Sequence, residues 1–233
     1  MRLVTYRATI EAESRLGVLV DGLVVDVAAL GARADVPMPS RMLDFIDLGP
    51  VALAELKALL AAANGRWPVG GALPIDNVTL LAPIPRPRKN LFGIGLNYVE
   101  HVNESARSLD TAKELPKQPI IFSKPPTCVV GPGDPVVHNG AITQQLDWEV
   151  ELACVIGRSA RRVSANAALN HVFGYTVCID ISARDNRRAG QWIYSKGMDS
   201  YAPLGPCIVT ADDIPDPQTL DLWLTVNGVE KQR

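Results

Sequence analysis

Two glutamates stand two residues apart inside an apolar run, in the stretch DWEVELACVIG at 147–157. In a strand, successive side chains point to opposite faces, so Glu149 and Glu151 share one face with Ala153 and Val155. Trp148, Val150, Leu152, Cys154 and Ile156 take the other, which reads as core. Two like charges so close repel unless water or a cation lies between them. Two readings stay open: a half-exposed strand with a solvated face, or a pair of oxygen ligands for a hard divalent metal. A third carboxylate, Asp180, ends the strand-like run GYTVCID just before a polar loop, where it either reaches an open rim or starts a turn. His101 and Glu104, three apart, share one face of a helix expected over 98–107. A carboxylate beside an imidazole raises its pKa and fixes its orientation, which suits water activation. The same spacing also suits an ordinary surface contact. GIGLN lacks the third glycine of a dinucleotide fingerprint. No nucleophile elbow, H-E-x-x-H or phosphate loop is present.

The elements that must position these residues follow from hydrophobic patterning. Residues 2–9 and 16–27 read as short strands, with Asp21-Gly22 as a hairpin turn. Helices are expected at 42–47 and 51–63, the second closed by Asn64-Gly65. A stretch rich in Pro and Gly follows, and a boundary is placed there, dividing a small N-terminal domain and linker (1–80) from a catalytic domain (81–233). The second part offers strands in KNLFGIG, PIIFSKP, DWEVELACVIG, GYTVCID and APLGPCIVT, and a helix over 165–172. Asn227-Gly228 closes a hairpin whose return strand has only five residues, so the C-terminal part of the sheet is expected to be missing. The fold class is α+β, mostly β.

Composition narrows the function. The formal net charge of −2 and pI near 5.9 give no electrostatic reason to expect nucleic acid or an anionic membrane as partner. The apolar run at 51–63 is too short to span a bilayer and carries Glu55 and Lys57. Four widely spaced cysteines with no C-x-x-C pair suit a reducing compartment, and a cytoplasmic location is expected.

Taken together and in order, FGIGLNYVEHVNES, IIFSKP, DWEVELACVIGR, GYTVCIDISARD and KGMDSYAPLGP resemble the fumarylacetoacetate hydrolase family. The resemblance covers about residues 80–233, and the preceding segment resembles the N-terminal extension of many bacterial members. It implies a mixed β-sheet fold of roll or barrel type, a Mg²⁺ or Mn²⁺ cofactor and a homodimer. Glu149, Glu151 and Asp180 match the family's metal ligands, and His101 with Glu104 its water-activating pair. Lys196, in YSKGMD, matches a lysine facing the substrate. Tyr98 and Arg184 are the expected substrate-binding residues, although Arg184 could instead pair with Asp185. Many members carry Gln where this chain has Arg187, a departure from the family's pattern that leaves a substrate contact there open. The family's later loop rich in Gly and Thr is not in this sequence.

The resemblance implies a small 2-oxo or 2,4-dioxo acid as substrate. The first expectation is hydrolysis of a C–C bond in an acylpyruvate-type acid. There His101 activates water, the metal holds the 2-oxo acid end, and Lys196 stabilises charge as an enolate leaves. The alternative keeps the enolate and drops hydrolysis: oxaloacetate decarboxylation or tautomerisation, or isomerisation of an unsaturated dioxo acid. A non-catalytic binding module with a decayed site is the third possibility, opposed by the survival of all six polar residues.

Overall fold

The computed structural model describes residues 1–97, 117–187 and 190–233. Its N-terminal part holds β1 (Arg2–Arg7), β2 (Arg15–Val20), β3 (Leu23–Asp26), α1 (Val27–Arg33), α2 (Met42–Leu48), α3 (Pro50–Ala63), β4 (Ala72–Pro74) and β5 (Thr79–Leu81). There follow β6 (Leu91–Gly95), β7 (Ile120–Lys124), β8 (Val129–Val130), β9 (Leu146–Asp147), β10 (Val150–Ile156), α4 (Ala165–Ala168) and β11 (Val172–Ile179). The last elements are β12 (Ser182–Ala183), α5 (Ile193–Lys196), β13 (Ala202–Thr210), β14 (Leu224–Val226) and β15 (Val229–Gln232).

One sheet organises the described residues, in the order β10-β11-β13-β1-β2-β3-β4, with β5 pairing β1 and β8 pairing β13. Only the β8–β13 pairing in it is parallel. β1 lies antiparallel to β13, with Leu3 opposite Ile208, so the sheet runs straight across the division placed near residue 80. Where β11 meets β13 the backbones nearly touch: a Cβ on Gly174 would lie 2.4 Å from the Val209 carbonyl oxygen.

Helices α1 to α3 cover one face of this sheet. Leu3, Leu16, Val18, Val25, Phe45, Leu56, Phe173 and Ile208 form the main core there. Phe45 of α2 meets Phe173 of β11 edge to face, centroids 6.2 Å apart. Val4, Tyr6 and Val24 build a smaller core on the opposite face. β1 is therefore buried on both sides and reads as a continuous apolar run. A further cluster of Ile181, Ala183 and Tyr201, packed by Leu146, Trp148 and Met198, lies under the loop that carries the candidate site.

Local chemistry explains the agreements and the differences. Asp21 and Gly22 turn with φ of 46° and 79°, the left-handed pair that a tight hairpin needs. α3 starts one residue before its expected position, at Pro50, whose missing N–H is no loss there. The strand read through Val27 instead ends at Asp26, whose side chain accepts from the Ala29 amide and starts α1. The helix expected over 165–172 is one α-turn and a 3₁₀ turn, Leu169–His171, before β11 begins at Val172.

Asp26 is also the acceptor for Tyr6 Oη at 2.8 Å and for the Arg15 fork. Burial opposes its ionisation, but Arg15, the Ala29 amide and Tyr6 outweigh it and hold its pKa below the usual carboxylate range. A depressed folded pKa stabilises above the unfolded value of about 3.9 and loses that contribution as pH falls through the folded value. Asp26→Ala should therefore cost about 2 kcal/mol in urea unfolding at pH 7. The gap from wild type should narrow below about pH 4. A gap independent of pH would mean that the charge of Asp26 does not matter.

Candidate active site

The face of β10 assigned to the core is the more open one. Beyond Val150, Leu152 is half-buried and both Cys154 and Ile156 are exposed. Ala153 and Val155, on the glutamate face, pack against buried clusters instead. The inversion follows from topology: β10 ends the sheet order and is paired only with β11 among the described residues. The two glutamates thus point inward, with Glu149 only 8% exposed and Glu151 half-buried.

Backbone bonds bring Asp180 to the same place. Its amide donates to the Glu149 carbonyl at 2.7 Å, continuing the β10–β11 register that sets Val150 opposite Ile179. Beside it, the Gln232 side chain brackets the Val150 peptide, accepting from its N–H at 2.7 Å. The short helix α5 then carries Lys196 into the gap between the two acids. Its Nζ donates to Glu149 Oε2 at 2.7 Å, Asp180 Oδ2 at 2.5 Å and Ser182 Oγ at 2.7 Å. Phe122 floors that ammonium, its ring centroid 4.8 Å from Nζ.

A second lysine lies beneath. Lys124, 3% exposed, donates to the carbonyls of Ile181 at 3.0 Å, Lys196 at 2.6 Å and Tyr201 at 2.8 Å. Asp180 Oδ1 lies 2.7 Å from Lys124 Nζ, an ionic contact whose angles miss those of a hydrogen bond. Burial pushes the Asp180 carboxyl up, while Lys124 and Lys196 pull it down and Glu149 adds to the rise; the net shift is upward. For Glu149, Lys196 and Arg184 overcome the same burial cost and hold the carboxyl well below the ordinary range. Among the described residues Glu151 accepts one bond, from Asn97 Nδ2 at 3.4 Å, and burial, with Glu149 and Asp180 nearby, pushes it up to about 7.

Arg184 is bound on both sides. Its Nε donates to Asp147 Oδ2 at 2.7 Å and its Nη2 to Glu149 Oε1 at 2.6 Å. The alternative pairing with Asp185 does not form, since that carboxylate accepts from Thr143 and from the Gln144 amide. Arg184 thus props Glu149 with two of its five donors. Lys124 and Asp147 were missed by sequence reasoning. A lysine closing the apolar strand IIFSK was the available signal for the first; nothing in the sequence pointed to the second. Tyr98, His101 and Glu104 lie outside the described residues.

Three carboxylates of hard oxygen chemistry thus adjoin one point, and two of them close on a single cationic atom. Among the described residues no cluster of three or more His, Cys, Asp or Glu side chains forms a ready metal cage; the Lys196 ammonium stands between Glu149 and Asp180. The donor set fits a divalent cation in place of that ammonium.

The sequence profile of the fumarylacetoacetate (FAA) hydrolase C-terminal region matches residues 90–233, the stretch that supplies every group just described. The chain belongs to the fumarylacetoacetate hydrolase family. Among relatives in that family, human mitochondrial oxaloacetate tautomerase FAHD2A is 40% identical over 98% of this chain and 68% of its own length. Among solved members, maleylpyruvate hydrolase from Sphingobium sp. SYK-6, in complex with manganese(II) and pyruvate, superposes with a TM-score of 0.74 at 29% identity. That match covers all of this chain and 75% of the other. The 5-carboxymethyl-2-hydroxymuconate delta-isomerase of Mycobacterium smegmatis gives 0.65 at 29% identity, over all of this chain and 74% of its own. Members of the fumarylacetoacetate hydrolase family are thus hydrolases, isomerases and tautomerases, and the mostly β fold expected from the sequence is theirs. No helix among the described residues is long and apolar enough to cross a membrane.

Proposed function

We propose that the chain is a divalent-metal-dependent enzyme that interconverts the enol and keto forms of oxaloacetate. The observation that carries this reading is the convergence of Glu149 and Asp180 on Lys196 Nζ, with Glu151 alongside. Such a point can hold a 2-oxo acid by its oxygens and move a proton on the adjacent carbon. A Mg²⁺ or Mn²⁺ held by Glu149, Glu151 and Asp180 would polarise the 2-oxo group and lower the cost of negative charge developing on its oxygen. Lys196 Nζ, bonded to Glu149, Asp180 and Ser182 above the Phe122 ring, lies where the 2-oxo group would be held. It supplies a donor to the oxygen on which charge grows. Arg184 keeps Glu149 ionised and correctly turned. Burial of the cluster strengthens each of these interactions.

Tautomerisation is placed ahead of hydrolysis because the tautomerase relatives share more sequence than the hydrolase does, 40% against 29% for the examples above. Cleavage of a 2,4-dioxo acid is the second reading. It is supported by the likeness to maleylpyruvate hydrolase and needs His101 and Glu104 as the water-activating pair.

The test is to add protein and Mg²⁺ or Mn²⁺ to freshly dissolved enol-oxaloacetate and follow the loss of the enol absorbance. Parallel assays measure pyruvate released from an acylpyruvate and CO₂ from oxaloacetate. The expected result is accelerated enol loss, abolished by chelator, with neither product. Pyruvate plus a carboxylic acid, without faster enol loss, would overturn the tautomerase reading in favour of the hydrolase.

A further inference from the structure

Two arginines border the carboxylate cluster, and their side chains are engaged differently. Arg184 has its Nε on Asp147 and its Nη2 on Glu149. Arg187, three residues on, makes no hydrogen bond or ion pair with any described residue. Its guanidinium instead lies over the Trp192 ring, 6.0 Å from the centroid. That ring is itself fixed. Phe122 packs against it at 5.5 Å, and a Cβ on Gly95 would come within 2.6 Å of it. Trp192 and Phe122 therefore form a continuous aromatic shelf, with Lys196 at one end and Arg187 at the other.

Arg187 lies near enough to the cluster for the charges of Arg184, Glu149, Asp147 and Asp180 to act on it. It is half-buried, and burial followed by the like charge of Arg184 lowers its pKa, though a guanidinium stays cationic. Among the described residues, this half-buried fork of N–H donors, set on an aromatic ring, meets no acceptor. A carboxylate matches that fork with two parallel bonds. The other cations at the cluster, Lys124, Lys196 and Arg184, already face its acids.

We propose that Arg187 is a specificity-determining residue that receives the distal carboxylate of a dicarboxylic 2-oxo acid, the end remote from the 2-oxo group. The assignment rests on the 2-oxo acid reading above and adds the reason for a dicarboxylate: the first acid end is held at the Lys196 cluster, and the second lands on Arg187. A substrate with an apolar tail would leave this guanidinium without an acceptor.

The test uses two unreactive ligands that differ in the distal carboxylate, malate and lactate, titrated calorimetrically into Mg²⁺-loaded wild type, Arg187→Gln and Arg187→Lys. Wild type should bind malate about 30-fold more tightly than lactate, the range of a charge-assisted pair. Arg187→Gln should bring the two to within about threefold by weakening malate alone. Arg187→Lys should recover part of the preference, as a point charge without the fork. Unchanged lactate affinity in Arg187→Gln shows that the site is intact. A malate preference that survives Arg187→Gln, or equal loss for both ligands, would overturn the assignment. So would a wild type that does not discriminate between them. Enol-oxaloacetate turnover, run alongside, separates the two readings. Turnover in wild type with an unchanged KM in Arg187→Gln removes Arg187 from recognition and leaves the tautomerase standing. A wild type inert on 2-oxo acids, yet selective for malate through Arg187, does the reverse.

Discussion

Asp180→Asn should weaken Mn²⁺ binding by at least about 100-fold and reduce turnover of enol-oxaloacetate by about 10³-fold. The substitution keeps the shape of the side chain and the amide bond to the Glu149 carbonyl, so the backbone has no cause to move. What it removes is one negative charge where Glu149 and Asp180 meet. A hard cation binds by charge count and oxygen geometry, and a neutral amide oxygen is a much weaker donor than a carboxylate. Titration of Mn²⁺ followed by the relaxation of water protons measures affinity without turnover. If affinity holds while turnover falls, Asp180 acts on Lys196 or on the substrate and not on the metal. If both hold, the cluster is not the site.

The second large effect concerns folding. Lys124→Met should destabilise the protein by about 3–5 kcal/mol. The thioether fills most of the volume but donates to nothing. Three carbonyls, those of Ile181, Lys196 and Tyr201, then lose a buried donor, and Asp180 Oδ1 loses its counter-charge. Replacing both members of a buried pair can be neutral, but removing one leaves an uncompensated charge. For a chain of this length the midpoint of thermal unfolding should fall by about 10 °C. A fall of less than about 2 °C would mean that the carbonyls find other donors. The three acceptors sit on the strand end after Asp180, on α5 and before β13, so the ammonium ties together three segments of the site. Arg should serve poorly in its place, since its planar fork does not reproduce three bonds and an ionic contact made from a single nitrogen.

Much of this was legible in the sequence, for a physical reason. The hairpin at Asp21-Gly22, the helix at Pro50–Ala63 and the strands of the second half are written in local chemistry: turn residues, periodicity and apolar runs. The carboxylates at 149, 151 and 180 were visible because charges within apolar runs are costly and call for explanation. Which face of β10 turns inward was not visible, because both faces are apolar enough to be core. Only the order of strands, a non-local fact, decides it. The role of Arg184 was open for a similar cause: its partner Asp147 is 37 residues away, whereas sequence offers only the adjacent Asp185. Lys124 showed as a charge at a strand end and nothing more, because its acceptors are backbone carbonyls and those carry no sequence signature.

The pairing of the first strand with β13 carries a mechanical consequence. β13 follows directly on Tyr201, whose carbonyl is tied to Lys124, so the segment bearing Lys196 is anchored on one side to the opening residues of the chain. The helical layer and the acidic cluster should then loosen together in a single opening event, and amide protons of β1 and β13 should exchange at one common rate. Severing the chain near residue 80 would part β1 from β13 and divide the sheet through its middle.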